Sequence, residues 1–234
     1  MAVRRRSRVL IAAACLLLTG CGESSTIPAL PVSVAPVPSA TDWQLNGSAT
    51  VIDGRLQLTD ASTADQVGSA FWPTVHTAAA TVTVTFDLDI GDGSGADGLT
   101  LAVLDADLAS PTALGDHGGA LGWSGLPGFA VAVDTFQNGP DPSYSTIGLV
   151  TGFDPAEPDH LRWTGFSAAE PRLRGQTRHV EAVVTDGRLT VTLDGVQVLL
   201  APVVLPHRML IGFTAANGER TDRHSVSGVA ISVS

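Results

Sequence analysis

The sequence predicts an all-β protein, an antiparallel two-sheet sandwich. Three observations carry that reading. Residues 81–90, TVTVTFDLDI, alternate strictly between apolar and polar side chains, the period of a strand with one buried face. Two Asp-Gly pairs, Asp186-Gly187 and Asp194-Gly195, separate alternating runs between 179 and 200. Asp-Gly is a strong hairpin signal because glycine accepts positive φ. The 25 glycines and 14 prolines among 234 residues argue against a helical bundle, since both interrupt helix interiors.

In chain order, the first twenty residues read as an address. Arg4, Arg5, Arg6 and Arg8 precede an apolar run from Val9 to Leu18, the charged and hydrophobic regions of a signal peptide. About ten apolar residues fall short of the ~20 that a bilayer-spanning helix needs. The next segment, Leu18-Thr19-Gly20-Cys21, resembles the lipobox of bacterial lipoproteins, which implies cleavage before Cys21 and lipidation of its thiol. An ordinary secretory signal with an incidental cysteine is the plainer alternative. The Arg5-Arg6 pair leaves the Sec and twin-arginine routes both open. With Cys15 removed and Cys21 acylated, the mature chain has no thiol for a disulfide or a metal. Residues 21–40 then form a tether, in which Pro28, Pro31, Pro36 and Pro38 favour extended polyproline-like chain. The expected organisation is a signal peptide at 1–20, a lipidated Cys and tether at 21–40, and one β domain at 41–234. That domain would sit outside the cytoplasm, anchored to the cell membrane by lipid.

Within the domain, residues 129–134, FAVAVD, are almost wholly apolar, as in a central strand of a sandwich. Residues 179–200 read as three strands joined at the two Asp-Gly pairs. Leu210-Ile211-Gly212-Phe213 and Val226 to Val233 supply the last strands. All 23 acidic residues follow position 20, where nine arginines and no lysine oppose them, a formal −14. So acidic a chain, with no basic run after the leader, excludes nucleic acid and anionic lipid surfaces as partners. Membrane contact is expected through the lipid alone.

One turn carries candidate metal chemistry. Asp134 ends an apolar strand, and Asp134, Asn138 and Asp141 offer side-chain oxygens within eight residues. The Phe136 carbonyl can join them. A hard cation such as Ca²⁺ takes six to eight oxygens, some from water. Two carboxylates brought together repel unless a dication neutralises them. An Asx-rich turn bound to water only is the alternative.

Four segments in order resemble the legume (L-type) lectin family: Ala96-Asp97-Gly98-Leu99-Thr100-Leu101, Gly118 to Gly122, Val133 to Pro142, and Ile211 to Ala216 followed by His224-Ser225-Val226. The resemblance implies a jelly-roll sandwich of the concanavalin A-like lectin/glucanase type. It also implies calcium held by Asp134, the Phe136 carbonyl, Asn138 and Asp141. A glycan would bind beside the ion: Asp97, after a cis peptide with Ala96, accepts from sugar hydroxyls, Gly119 N–H and the Asn138 amide donate, and the Phe136 ring stacks on the pyranose. The loop at Glu219 and Arg220 sets specificity. The family's second, transition-metal ion needs a glutamate and a histidine where this chain has Ala132 and Thr146. That second site is therefore expected to be missing. The resemblance also allows a homodimer, as plant members often pair through sheet edges.

Duller readings stand beside these. Asp97 can cap a turn, and Phe136 can be core. Asp87, Asp89 and Asp92 lack the spacing of a calcium loop and read as strand-end solvation. His117 reads as exposed and His224 as structural. Glycoside hydrolases of the same fold place two carboxylates across the scissile bond, commonly as Glu-x-Asp-x-x-Glu. None of the five glutamates after the leader forms that pattern, so no enzyme is expected. The function expected is calcium-dependent carbohydrate binding. The alternatives are a lectin-fold adhesive module without sugar binding, and a glycosidase-related protein.

Overall fold

The structure, a computed structural model, describes residues 39–139, 141–151 and 161–234. The leader, Cys21 and the tether as far as residue 38 lie outside the described residues. In chain order the strands are β1 (Gln44–Gly47), β2 (Thr50–Ile52), β3 (Arg55–Thr59), β4 (Val67–Thr77), β5 (Thr81–Gly91), β6 (Gly98–Asp105), β7 (Gly128–Asp134), β8 (Thr146–Thr151), β9 (Trp163–Phe166), β10 (Thr177–Thr185), β11 (Arg188–Leu193), β12 (Val196–Pro202), β13 (Arg208–Ala216) and β14 (Arg223–Val233). The helical content among the described residues is one 3-10 turn at Gly118–Ala120. The first sheet runs β1-β4-β13-β6-β7-β8-β9 and the second β12-β11-β10-β5-β14-β3-β2. Neighbouring strands pair antiparallel. The fold is the expected all-β jelly-roll sandwich.

The alternation read in 81–90 sets the inner face of β5. Val82, Val84, Phe86, Leu88 and Ile90 are all buried, and the Phe86 ring meets Phe213 of the other sheet edge-on at 4.9 Å, a favoured aromatic geometry. The apolar run in β7 has a different cause. Phe129, Val131 and Val133 enter the core between the sheets. Ala130 and Ala132 face the other way, into a second cluster with Leu121, Trp123 and Leu126, from the long β6–β7 connection. The first sheet is thus covered on both faces, and its strands lose their polar alternation. Both Asp-Gly pairs form the expected hairpins, with positive φ at Asp186, Gly187, Asp194 and Gly195, as two-residue I′ turns require.

The polar face of β5 corrects one expectation. Asp89 and Asp92 are ion-paired, and Asp87 is hydrogen-bonded to His179, rather than merely solvated. Asp87 contacts His179 at 2.7 Å, Asp89 contacts Arg55 at 2.9 Å and Arg223 at 3.3 Å, and Asp92 contacts Arg223 at 2.7 Å. The cause is strand order: β5 lies between β10 and β14, so His179 and Arg223 flank its aspartates, and Arg55 reaches over from β3, on the far side of β14. Such surface pairs contribute up to about 1 kcal/mol each.

His224, at the start of β14, is fully buried. The Thr59 hydroxyl donates to the Asp222 carbonyl and accepts from His224 Nδ1–H at 2.7 Å. Burial lowers the His224 pKa from 6.5 to about 4. The unfolded chain therefore takes up this proton first. The stability it represents is complete above pH 6.5 and is lost as pH falls through 4. Wild-type protein should lose about 2 kcal/mol from this group by pH ~5. The loss should be absent in His224→Asn when melting is followed from pH 7 to 5.

Candidate functional site

Three connections cross between the sheets at one end of the sandwich: 60–66, 92–97 and 217–222. Buried Asn217 ties the first to the third. Its Oδ1 accepts from Gln66 N–H at 2.8 Å and its Nδ2 donates to the Thr63 carbonyl at 3.1 Å. Arg174 ties the second to the third. Its guanidinium grips Asp222 through Nε at 2.5 Å and Nη2 at 2.9 Å, and the Gly93 N–H donates to the same carboxylate at 3.0 Å. Asp222 is wholly buried, and its carboxylate raises the Arg174 pKa. A bidentate pair of this kind fixes orientation as well as position.

The loop after β7 joins this end through Asp97. The Asp97 carbonyl accepts from both the N–H and the hydroxyl of Thr135, at 2.8 and 3.0 Å. The Ala96–Asp97 peptide is cis. Its carboxylate Oδ1 accepts from Asn138 Nδ2 at 3.1 Å. The Gly118–Gly119 turn closes against the same amide. A Cβ at Gly119 would lie 2.5 Å from Asn138 Nδ2, so any side chain here would push the Asn138 amide from its place. Asp97, Gly119, Phe136, Asn138, Glu219 and Arg220, named from the sequence as six sugar contacts, line one shallow cavity of about 260 Å³. Ala96, Gly118 and Gly218 complete its wall. His117 is exposed, 2.6 Å from the Asp116 carboxylate. Phe136 is half-buried rather than core, and the Arg220 guanidinium lies over its ring at 5.6 Å, a cation–π distance.

Asp97 on the cavity wall is one of three buried carboxylates here, with Asp134 and Asp141. Burial and the Asp141 charge push the Asp134 carboxyl well above its usual value, the Phe136 N–H partly opposes this, and Asp97 adds to the rise. The Phe136 N–H reaches Asp134 Oδ1 at 2.9 Å. Burial raises Asp97 too, against the Asn138 amide and the nearby Gly218 N–H. The outer oxygens of both, Oδ2 of Asp97 and Oδ2 of Asp134, are buried without a hydrogen-bond partner. Asp141 accepts from the Asn138 N–H at 2.8 Å and the Trp163 indole at 2.9 Å.

Among the described residues, no group of three or more histidine, cysteine or acidic side chains is placed to hold a metal ion. Two carboxylates, Asp134 and Asp141, are the acidic donors of the turn. The orphaned Asp134 Oδ2, in a site where burial disfavours its charge, fits a hard cation that takes the rest of its shell from amide, carbonyl and water oxygens. Thr146 pairs with Asp134 across β7 and β8, and Ala132 lies two residues before Asp134 on β7; neither supplies a carboxylate or an imidazole. Sequence reading missed Trp163 and the Arg174–Asp222 clamp. Neither carries a local motif, and strand order alone brings each to the site.

No family model and no curated protein sequence matches the chain. Solved structures do. Lectin I-B4 from Griffonia simplicifolia, in a metal-free form, aligns over 82% of this chain and 93% of its own, at 21% identity and TM-score 0.67. The lectin from Bauhinia forficata, in complex with GalNAc, aligns over 87% and 98%, at 20% identity and TM-score 0.67. The exoplasmic/lumenal domain of VIP36, in its Ca²⁺/Man-bound form, aligns over 86% and 88%, at 17% identity and TM-score 0.65. The described domain therefore has the fold that legume lectins share with the L-type domain of VIP36.

Proposed function

We propose that this protein is a calcium-dependent carbohydrate-binding protein, held by a lipid on Cys21 outside the cytoplasm of a bacterial cell. The observation that carries the reading is the convergence of Asp97, Gly119, Phe136, Asn138, Glu219 and Arg220 on one shallow cavity, together with two orphaned carboxylate oxygens, of Asp97 and Asp134. Similar folds bind such ligands: the Bauhinia lectin was seen with GalNAc and VIP36 with Ca²⁺ and mannose.

The chemistry follows from the donor and acceptor inventory. Asp97 Oδ2 is an acceptor without a partner, suited to a sugar hydroxyl. Asn138 holds Asp97 Oδ1 through one amide hydrogen, which leaves its second hydrogen and its oxygen for other partners. Asp134, Asn138 and Asp141 would hold calcium together with the Phe136 carbonyl. Calcium supplies positive charge there, which lets the buried carboxylates ionise without mutual repulsion. Phe136 offers an apolar face to a pyranose, and Arg220 shares that face. A stacked sugar must displace the guanidinium or bond to it, so Arg220 belongs to specificity. Asp97 and exposed Glu219 are the cavity's carboxylates, and the sequence lacks the Glu-x-Asp-x-x-Glu pattern with which glycoside hydrolases of this fold commonly supply their acid pair. Binding without catalysis is the reading adopted.

Ala132 and Thr146 favour a second reading, a lectin-fold adhesive module that binds no sugar. A glycan array with and without EDTA separates the two. Binding to at least one saccharide in calcium, lost in EDTA, is the expected result. Absence of any calcium-dependent binding would favour the adhesive module.

A further inference from the structure

Asp141 is buried close to two other carboxylates, and its anchorage decides where the turn after β7 sits. Its Oδ1 takes the Trp163 indole N–H at 2.9 Å. Its Oδ2 takes the backbone N–H of Asn138 at 2.8 Å. Asn138 in turn donates through Nδ2 to Asp97 Oδ1 at 3.1 Å. Three hydrogen-bonded links thus run from β9, the edge strand of the first sheet, to the carboxylate that faces the cavity. The indole has room because its neighbours are small. It lies over Gly148, where a Cβ would come within 2.6 Å of the ring. It packs against the cluster that contains Ala132 and Val150.

We propose that Trp163 is a positioning residue: its neutral N–H fixes Asp141, and through it Asn138, in the place where a second cation would otherwise do so. The proposal concerns the turn that Proposed function reads as a calcium site, and it rests on that reading for its effect on calcium. A neutral donor orients Asp141 but cancels none of its charge. The full charge of Asp134 and Asp141 is therefore left for one divalent ion, and binding should saturate at a single ion per chain. An indole over Gly148 also leaves no room for a longer residue at that position.

The test is ¹⁵N–¹H NMR on the full chain, combined with calorimetric titration of calcium chloride or manganese chloride alone. The sequence has four tryptophans, and the indole signal missing from Trp163→Phe identifies this one. That signal should be protected from hydrogen exchange and should move in Asp141→Asn. In Trp163→Phe the backbone and side-chain amide signals of Asn138 should move, and calcium affinity should fall about tenfold, the usual effect of losing a hydrogen bond to a charged group. Neither ion should bind beyond one per chain. Unmoved Asn138 signals in folded Trp163→Phe would overturn the proposal, as would a second bound ion. Should that variant not fold, the Trp163 indole signal is identified by triple-resonance assignment of the wild type, and its indifference to Asp141→Asn overturns the proposal equally. Wild-type protein that binds no calcium would refute the calcium reading alone, because the NMR comparison judges the positioning without any ion.

Discussion

Asp97→Ala is expected to abolish sugar binding, with a loss on the order of 100-fold or more in affinity, while the protein stays folded. The side chain has few structural duties. Its one close hydrogen bond is from Asn138, and beyond the nearby Gly218 N–H its other oxygen has no partner. The contacts that hold the loop belong to its backbone, whose carbonyl accepts twice from Thr135. Removing the carboxylate also removes a buried charge whose ionised form the site disfavours. Melting temperature should change little, or rise. Glycan binding before and after the substitution, measured with a saccharide found on the array, gives the answer. Retained affinity would show that the cavity at Asp97 is not the sugar site.

Calcium should raise the melting temperature of the wild-type protein by roughly 5–10 °C at a hundredfold excess over its dissociation constant, and Asp134→Asn should erase that response. The sign without calcium is opposite. The native pKa of Asp134 lies well above its ordinary 3.8, because of burial and the Asp141 charge. Between those two values the native state keeps a proton that the unfolded chain has released. The stabilising contribution is full below pH 3.8 and is lost as pH rises through the native value. Calcium-free wild type is therefore held back at neutral pH by this group, and calcium-free Asp134→Asn should melt at or above it. His224 imposes the reverse trend on both proteins, so the difference between their melting curves isolates the aspartate. At a pH below the raised native value, calcium binding should also release protons, which calorimetry in buffers of different ionisation enthalpy would reveal.

Much of the fold was legible because its signals are local. The alternation in β5 and the two Asp-Gly turns each need fewer than about a dozen residues to declare themselves. The proximity of Asp97, Gly119 and Asn138 was legible only through the order of short segments that resemble a family, since no periodicity joins loops that lie 19 to 41 residues apart. What could not be read depends on register between distant strands. The polar face of β5 looked solvated until β10 and β14 were seen to flank it. The indole of Trp163 reaches Asp141 because β9 bonds to β8 and the turn precedes β8. The apolar run in β7 announced burial, yet nothing in it revealed that residues of the β6–β7 connection form the second cover.

The clamp of Arg174 on Asp222 has one more implication. It secures the base of the 217–222 connection from beneath, and Asn217 secures the other root. Between them Glu219 and Arg220 project outward, exposed. Ligand choice and maintenance of the fold are thereby allotted to different side chains, and this rim can drift in evolution at small thermodynamic risk.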